Sequence, residues 1–354
     1  MRYFILAGES SGDLHGSNLM HAIKQKDPNA EFLGFGGDRM ENQGCKLIKH
    51  ANDLSFMGFA EVAMNIRSIF DNFSLAKEGM KAFQPDRVIL IDYPGFNLRM
   101  AKFAKEEGFH VSYYIAPQVW AWKAGRTKQL KAYCDQVLVI LPFEESFLRN
   151  HGVDAEFVGH PLIDALENDL TQALDQEVDL ALLPGSRKQE LKRILPVMLE
   201  AVESEGLRAH IAQAPGMNPS SYPNLGSNSL VKAGTYALLR SSRRALVTSG
   251  TATLETALLG IPQAVCYKTS PVSYAIGKRL VKVKYISLVN LIFDKEVLPE
   301  YIQGDCNLKN LKTALTNLNR EDYRMKMQDQ YKALREKLGG KGASERAAQR
   351  ILEL

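Results

Sequence analysis

The chain opens on an unbroken apolar run, Tyr3 to Leu6, which passes into Ala7-Gly8-Glu9-Ser10-Ser11-Gly12-Asp13-Leu14-His15-Gly16. The run predicts a buried strand, and Leu19 and Ile23 above a polar face predict a helix behind it. Ala30 to Phe35 predicts a second strand, ending in Gly36-Gly37. From Phe59 onward Val62, Ala63, Ile66, Ile69, Phe70 and Phe73 recur at helical spacing, the pattern of a long amphipathic helix. Val88-Ile89-Leu90-Ile91 has no polar interruption, as expected of a strand covered on both faces, and it stops at Asp92-Tyr93-Pro94-Gly95-Phe96-Asn97. Val111 to Ile115 and Val137 to Leu141 predict two more strands with a helical segment between them.

A polar, glycine-poor stretch from Glu167 to Glu177, after Gly159-His160-Pro161, marks a join, and beyond it the pattern starts afresh. Asp179 to Leu183 predicts a strand ending at Pro184-Gly185-Ser186-Arg187, followed by a helix with Leu191, Ile194, Leu195, Met198 and Val202 on one face. Leu207 to Ala212, Ala245 to Thr248 and Gln263 to Tyr267 predict strands, and Ser249-Gly250-Thr251 opens another helix. From Asn307 the chain is helical and charged, with Leu311, Leu315 and Leu318 on one side; Ala343 to Leu354 is free to pack back on either half. Strand–helix alternation in both halves predicts an α/β protein of two doubly wound, Rossmann-like domains, residues 1–166 and 167–335, with a helical tail over 336–354. Two such halves invite a ligand in a cleft between them, at the carboxyl ends of the strands.

Composition narrows the classes. The 354 residues suffice for two domains that each bury a core, and 45% hydrophobic with 24% charged residues is the balance of a soluble globular protein. A net charge of +4 without a dense Lys/Arg block argues against a nucleic-acid partner. Cys45, Cys134, Cys266 and Cys306 are far apart in no metal or redox spacing, which predicts a reduced, cytosolic protein with structural cysteines. No basic-then-apolar leader and no run near ~20 apolar residues is found, so neither a signal peptide nor a membrane span is expected.

Candidate chemistry collects where predicted strands end. Gly8, Gly12 and Gly16 let backbone approach something closely, with Ser10, Ser11, Asp13 and His15 among them at a helix start. The spacing is neither the dinucleotide fingerprint nor the phosphate loop, and an ordinary tight strand-to-helix turn also fits it. Asp92 ends a buried strand, where a carboxylate serves either as general base or as a cap for the next turn. Arg187 at a helix start suits a diphosphate, through paired guanidinium contacts and free backbone N–H groups, but equally suits the surface of a capped helix. In Ser249-Gly250-Thr251-Ala252-Thr253-Leu254-Glu255 small residues admit a phosphate and Glu255 lies one turn in, placed for ribose hydroxyls; a Ser/Thr cap with its Glu reads the same. His15 and His160 flank turns and are read first as structural. Trp120 and Trp122 follow Pro117 and either line a groove for an amphipathic ligand or pack under a loop. No D-x-D pair offers itself to a metal-bound diphosphate, so no metal and no cofactor is expected. Phe56 to Phe59 and the alternation from Lys278 to Lys284 suit a lipid surface, or a core helix and a solvated face.

Seven of these motifs occur in an order that closely resembles lipid-A-disaccharide synthase: Ala7 to Asp13, Ile91 to Asn97, Val119 to Trp122, Phe157 to Pro161, Leu182 to Arg187, Ser249 to Glu255 and Tyr285 to Leu291. The resemblance runs from the first strand to the last helix. It implies a two-Rossmann-domain glycosyltransferase of GT-B type that joins UDP-2,3-diacylglucosamine to 2,3-diacylglucosamine 1-phosphate, releasing UDP and inverting the donor anomeric centre. By similarity Asp92 is the family's essential Asp and the base; Arg187 and Ser249, Gly250, Thr251 and Glu255 belong to the UDP site; Asn290 belongs to the second-half site; Glu9 and Ser11 line the first-half loop. Gly95 stands where some family members carry a second Asp, so no acid pair is implied, and Ala212 to Leu225 is shortened, so contacts made there do not carry over. The acylated substrates imply a peripheral protein on the cytoplasmic face of the inner membrane; a homo-oligomer is left open. Two alternatives remain at this stage: another GT-B enzyme using UDP-N-acetylglucosamine, such as an epimerase or cell-wall transferase, and a non-catalytic nucleotide-sugar-binding module.

Overall fold

Strands and helices alternate along the chain and sort into two sheets whose pairings are all parallel. The computed structural model describes residues 1–54, 66–121, 124–214, 216–280 and 283–353. Phe56 to Phe59, Val62, Ala63, Trp122, and Val281 and Lys282 of the basic stretch lie outside them. Two compact units result: Met1–Ala165 together with Leu338–Leu354, and Leu166–Lys337.

The first unit holds β1 (Arg2–Ala7), β2 (Glu31–Gly36), β3 (Cys45–His50), β4 (Arg87–Ile91), β5 (Val111–Tyr114), β6 (Gln136–Val139) and β7 (Ala155–Phe157), in the spatial order β3-β2-β1-β4-β5-β6-β7. The uninterrupted apolar runs have the expected cause. Val88 and Leu90 of β4 join Phe4, Leu6, Val111 and Tyr113 in a core on one face, while Ile89 and Ile91 join Tyr3, Ile5, Ala7 and Tyr114 on the other. The helix Ala343–Leu352 completes the second core, burying Ala347, Ala348 and Ile351 with Leu19, Met20 and Ile23 of the helix Ser10–Lys26. Buried Asp164 caps this last helix, accepting hydrogen bonds from Gly342 N at 2.7 Å and Ser344 N at 2.9 Å.

The second unit holds β8 (Val178–Leu183), β9 (His210–Ala212), β10 (Ser229–Val231), β11 (Ser242–Thr248), β12 (Gln263–Tyr267) and β13 (Glu300–Ile302), ordered β10-β9-β8-β11-β12-β13. One core packs Val178, Ala181, Leu183, Ala245 and Val247 against Leu238 and Leu239. The polar stretch that leads into β8 is anchored by Arg240, which donates to the carbonyls of Leu166 at 3.3 Å and Asp169 at 3.2 Å.

In each sheet the chain leaves one strand for the left and returns to its right neighbour: β1 and β4 in the first unit, β8 and β11 in the second. The carboxyl ends of those four strands are the switch points at which open parallel sheets bind ligands. Asp92 and Ser249 directly follow β4 and β11, and Glu9 and Arg187 stand two and four residues beyond β1 and β8.

Candidate active site

In the first unit, Asp92 and Tyr93 both adopt left-handed backbone, with φ of 44° and 47°. Such a conformation costs non-glycine residues about 1–2 kcal/mol each, so the surroundings must hold it. The Asp92 carbonyl accepts the Tyr113 hydroxyl at 2.7 Å and the Asn97 Nδ2 at 2.9 Å, and its N–H donates to the Tyr114 carbonyl at 3.2 Å. Buried Asn97 also donates to the carbonyls of Ile91 at 3.1 Å and Leu6 at 3.3 Å, tying the ends of β1 and β4 together. Tyr93 donates its hydroxyl to the Leu54 carbonyl at 3.1 Å, and Pro94 starts the helix Pro94–Glu106. The backbone is thus clamped from four sides while the carboxylate is left to do chemistry. Burial, reinforced by the charge of Glu9 and opposed by the Tyr93 N–H, pushes that carboxyl up to about 6. A Cβ added at neighbouring Gly95 would meet nothing within 4 Å.

The glycines of the first loop serve a purpose other than ligand approach. A Cβ on Gly8 would stand 2.4 Å from the Tyr93 ring, one on Gly12 3.2 Å from the Ala7 Cβ, and one on Gly16 2.7 Å from the Met40 sulfur. What comes close to the backbone is the protein itself, helix against sheet. Asp13 is likewise committed: its Oδ1 accepts from Gly37 N at 2.8 Å and Met40 N at 3.0 Å, its Oδ2 from Arg39 N at 3.2 Å, capping the helix Asp38–Asn42. Asp13→Ala is expected to cost about 2–3 kcal/mol by stranding these donors. Urea denaturation with an unchanged m-value checks this, and a loss below about 0.5 kcal/mol would refute the capping role. His160 is buried and His15 partly buried, and desolvation drives both down, to about 3 and about 4; His160 Nδ1 accepts from Leu162 N at 3.2 Å. Of the loop's polar groups, partly buried Glu9 and exposed Ser10 and Ser11 remain available.

One residue the sequence reading passed over stands out. Glu144 is buried, and its Oε1 accepts the Trp120 indole N–H at 2.9 Å. Its Oε2 accepts Leu141 N at 3.0 Å and Ile140 N at 3.3 Å. Desolvation, with the charge of Asp92 adding to it, outweighs these bonds and pushes Glu144 up to about 7. A Glu in the first turn of a helix, here Pro142–Asn150, reads as a capping residue, and that signal hid the second role.

In the second unit, Gly185 turns with φ 102°, and a Cβ there would lie 2.2 Å from Glu190 Oε2. That same oxygen accepts Ser186 N at 3.0 Å and Arg187 N at 3.2 Å, so the backbone N–H groups expected to be free for an anion are already taken. What this corner offers instead is the Arg187 guanidinium, 65% exposed, with Glu190 Oε1 3.7 Å from its Nη1. After β11, the Ser249 hydroxyl donates to the Ile286 carbonyl at 3.1 Å, and Gly250 and Thr251 are exposed at the start of the helix Thr251–Leu258. Glu255 is raised by burial and hydrogen-bonded to Tyr236.

Asn290 requires a correction. It is wholly buried, and its amide is saturated: Nδ2 donates to the Leu298 carbonyl and Glu300 Oε1, both at 2.8 Å, and Oδ1 accepts Val297 N and Leu298 N, also both at 2.8 Å. No hydrogen-bonding capacity is left for a substrate. Glu300 in turn accepts Ile286 N and Ser287 N, both at 2.9 Å. Asn290 and Glu300 therefore shape the 286–287 corner on which Ser249 rests.

Comparisons with known proteins follow the same lines. A family model described as lipid-A-disaccharide synthetase matches residues 3–354. The lipid-A-disaccharide synthase of Syntrophus aciditrophicus is 41% identical, covering 99% of this chain and 97% of its own. That of Coxiella burnetii is 33% identical over the same shares of the two chains, 99% and 97%. Among solved structures, the UDP-GlcNAc 2-epimerase of Neisseria meningitidis bound to UDP-GlcNAc superimposes with a TM-score of 0.68 at 14% identity, covering 100% of both chains. The glycotransferase of kitacinnamycin gives a TM-score of 0.67 at 11% identity, covering 99% of this chain and 98% of that one. These last two share the two-sheet α/β fold of GT-B type.

Proposed function

The chain belongs to the lipid-A-disaccharide synthase family, and from that premise we propose how its residues divide the glycosyl transfer of lipid A disaccharide synthesis. The donor is UDP-2,3-diacylglucosamine and the acceptor 2,3-diacylglucosamine 1-phosphate. Asp92 takes the proton of the acceptor 6-hydroxyl as that oxygen attacks the donor anomeric carbon. The new carbon–oxygen bond forms as the bond to the diphosphate breaks, UDP leaves with the electron pair, and the configuration inverts in this single displacement. Arg187 meets the charge that grows on the diphosphate, beside Ser249, Gly250 and Thr251. Glu255, with Tyr236, is placed for the ribose, and Glu9 and Ser11 flank the acceptor next to Asp92.

The observation that carries this reading is the Asp92 carboxylate, carried on a clamped backbone at a switch point and raised to about 6. A general base works best with a pKa near the working pH, and this one stays mostly ionised at neutrality while being a stronger base than an ordinary Asp. Because the ionised form is the active one, kcat/KM should fall about tenfold per pH unit below about pH 6 and level off above it. A profile flat down to pH 4.5 would remove Asp92 as the base. The reading as a whole is tested by UDP release, which should require the acylated acceptor and cease with unacylated sugar. Release with donor alone would favour an epimerase-like or hydrolytic activity instead.

Among the described residues no helix is long and apolar enough to cross a membrane. Acylated substrates and exposed Lys278, Arg279 and Lys284 support peripheral attachment to an anionic leaflet, on the cytoplasmic face where UDP-sugars are made. Co-sedimentation with anionic but not zwitterionic vesicles is the expected outcome, and equal recovery with both would contradict the electrostatic part.

A further inference from the structure

Capping the helix Pro142–Asn150 needs one carboxylate oxygen, and Glu144 Oε2 supplies it to Leu141 and Ile140. Its other oxygen reaches 24 residues back along the chain to the Trp120 indole. Burying a carboxylate is costly, and a capping Glu would ordinarily stay at the surface. Trp120 lies in the segment leaving β5, the strand between β4, which leads to Asp92, and β6, which leads to Glu144. Phe143 supports the indole edge-on, with ring centroids 5.0 Å apart at 88°. Trp120 remains only partly buried. An indole fixed at its N–H, braced by a second ring and still partly exposed is a rigid apolar plate, held by a carboxylate close enough to Asp92 to feel its charge. The axial C–H face of a pyranose is a flat apolar surface of matching size, and aromatic rings are well suited to it because they lose little freedom on binding.

We propose that Trp120 is the platform on which the sugar ring of the acceptor packs, and that Glu144 is the positioning residue that fixes it there. This rests on the reading of the first unit as the acceptor side. The platform orients the 6-hydroxyl toward Asp92 and has no part in holding the nucleotide.

Steady-state kinetics of Trp120→Ala, Glu144→Gln and the double variant test it. Trp120→Ala should raise the acceptor KM at least about tenfold, with the donor KM and UDP affinity within about twofold of the parent. Trp120→Phe, which keeps a ring but loses the N–H, should fall between. Glu144→Gln should raise the acceptor KM as well, because an amide cannot accept from both the indole and the Leu141 N–H. In the Trp120→Ala background that increment should vanish, since a residue acting only through another adds nothing once the other is gone. An acceptor KM for Trp120→Ala within about twofold of the parent overturns the proposal, as does a Glu144→Gln increment undiminished in the double variant. Should Glu144→Gln fail to fold, Trp120→Ala and Trp120→Phe still decide the platform. A failure of the base assignment appears elsewhere, as turnover surviving the loss of the Asp92 carboxylate.

Discussion

Asp92→Asn is expected to lower kcat about a thousandfold while UDP binds as before. Removing a positioned general base costs typically about 10²–10⁴ in rate. Asn is the informative substitution here because Asp92 sits at φ 44°, a region that Asn tolerates better than Ala does. The Tyr113 and Asn97 bonds go to the backbone carbonyl, so they survive the change. The variant therefore isolates the carboxylate from the fold. Calorimetry should show UDP affinity within about twofold of the parent, and thermal melting should show no loss. Turnover within tenfold of the parent would mean that another group takes the proton.

The second large effect is expected at Arg187. Its N–H is tied to Glu190, but its guanidinium is mostly exposed at the switch point of the second sheet. Arg187→Ala removes the charge-assisted contact proposed to the diphosphate, worth about 1.5–3 kcal/mol, which corresponds to roughly a 10–150-fold weaker UDP affinity. Arg187→Lys should recover only part of it, because an ammonium cannot make the paired contacts of a planar guanidinium. Unchanged affinity by calorimetry in Arg187→Ala would show that the backbone, not this side chain, meets the diphosphate. The cap should remain in place in either variant, since Glu190 accepts from backbone N–H groups rather than from the Arg187 side chain.

The parts of this fold that were legible in the sequence are those whose residues face only one environment. β1, β4, β8, β11 and β12 are buried on both faces, so their apolar runs mark them directly. The four strands that the pattern did not announce, β3, β7, β10 and β13, are the four edges of the two sheets. Cys45–His50 carries two lysines and a histidine, and the other three are three residues long, too short for a period to declare itself.

The site divides in a similar way. The positions of Asp92 and Arg187 at strand ends were legible because a charge after an apolar run marks where the strand stops, while the roles proposed for them come from the family resemblance. Gly8, Gly12 and Gly16 signalled close approach correctly, but a sequence cannot say whether a ligand or a tyrosine ring does the approaching. Glu144 and Asn290 erred in opposite directions, one hidden by its position in a helix start, the other promoted by its motif. Both are decided by hydrogen bonds to residues distant in sequence or around a turn, and single-chain periodicity carries no trace of those partners.

The most direct measurement is mass spectrometry of what forms when the protein is mixed with UDP-2,3-diacylglucosamine and 2,3-diacylglucosamine 1-phosphate. The account requires a tetra-acylated disaccharide carrying one phosphate, in step with UDP and absent when either sugar is omitted. UDP accumulating without that disaccharide, or both substrates returned intact by folded protein that binds UDP, would contradict it.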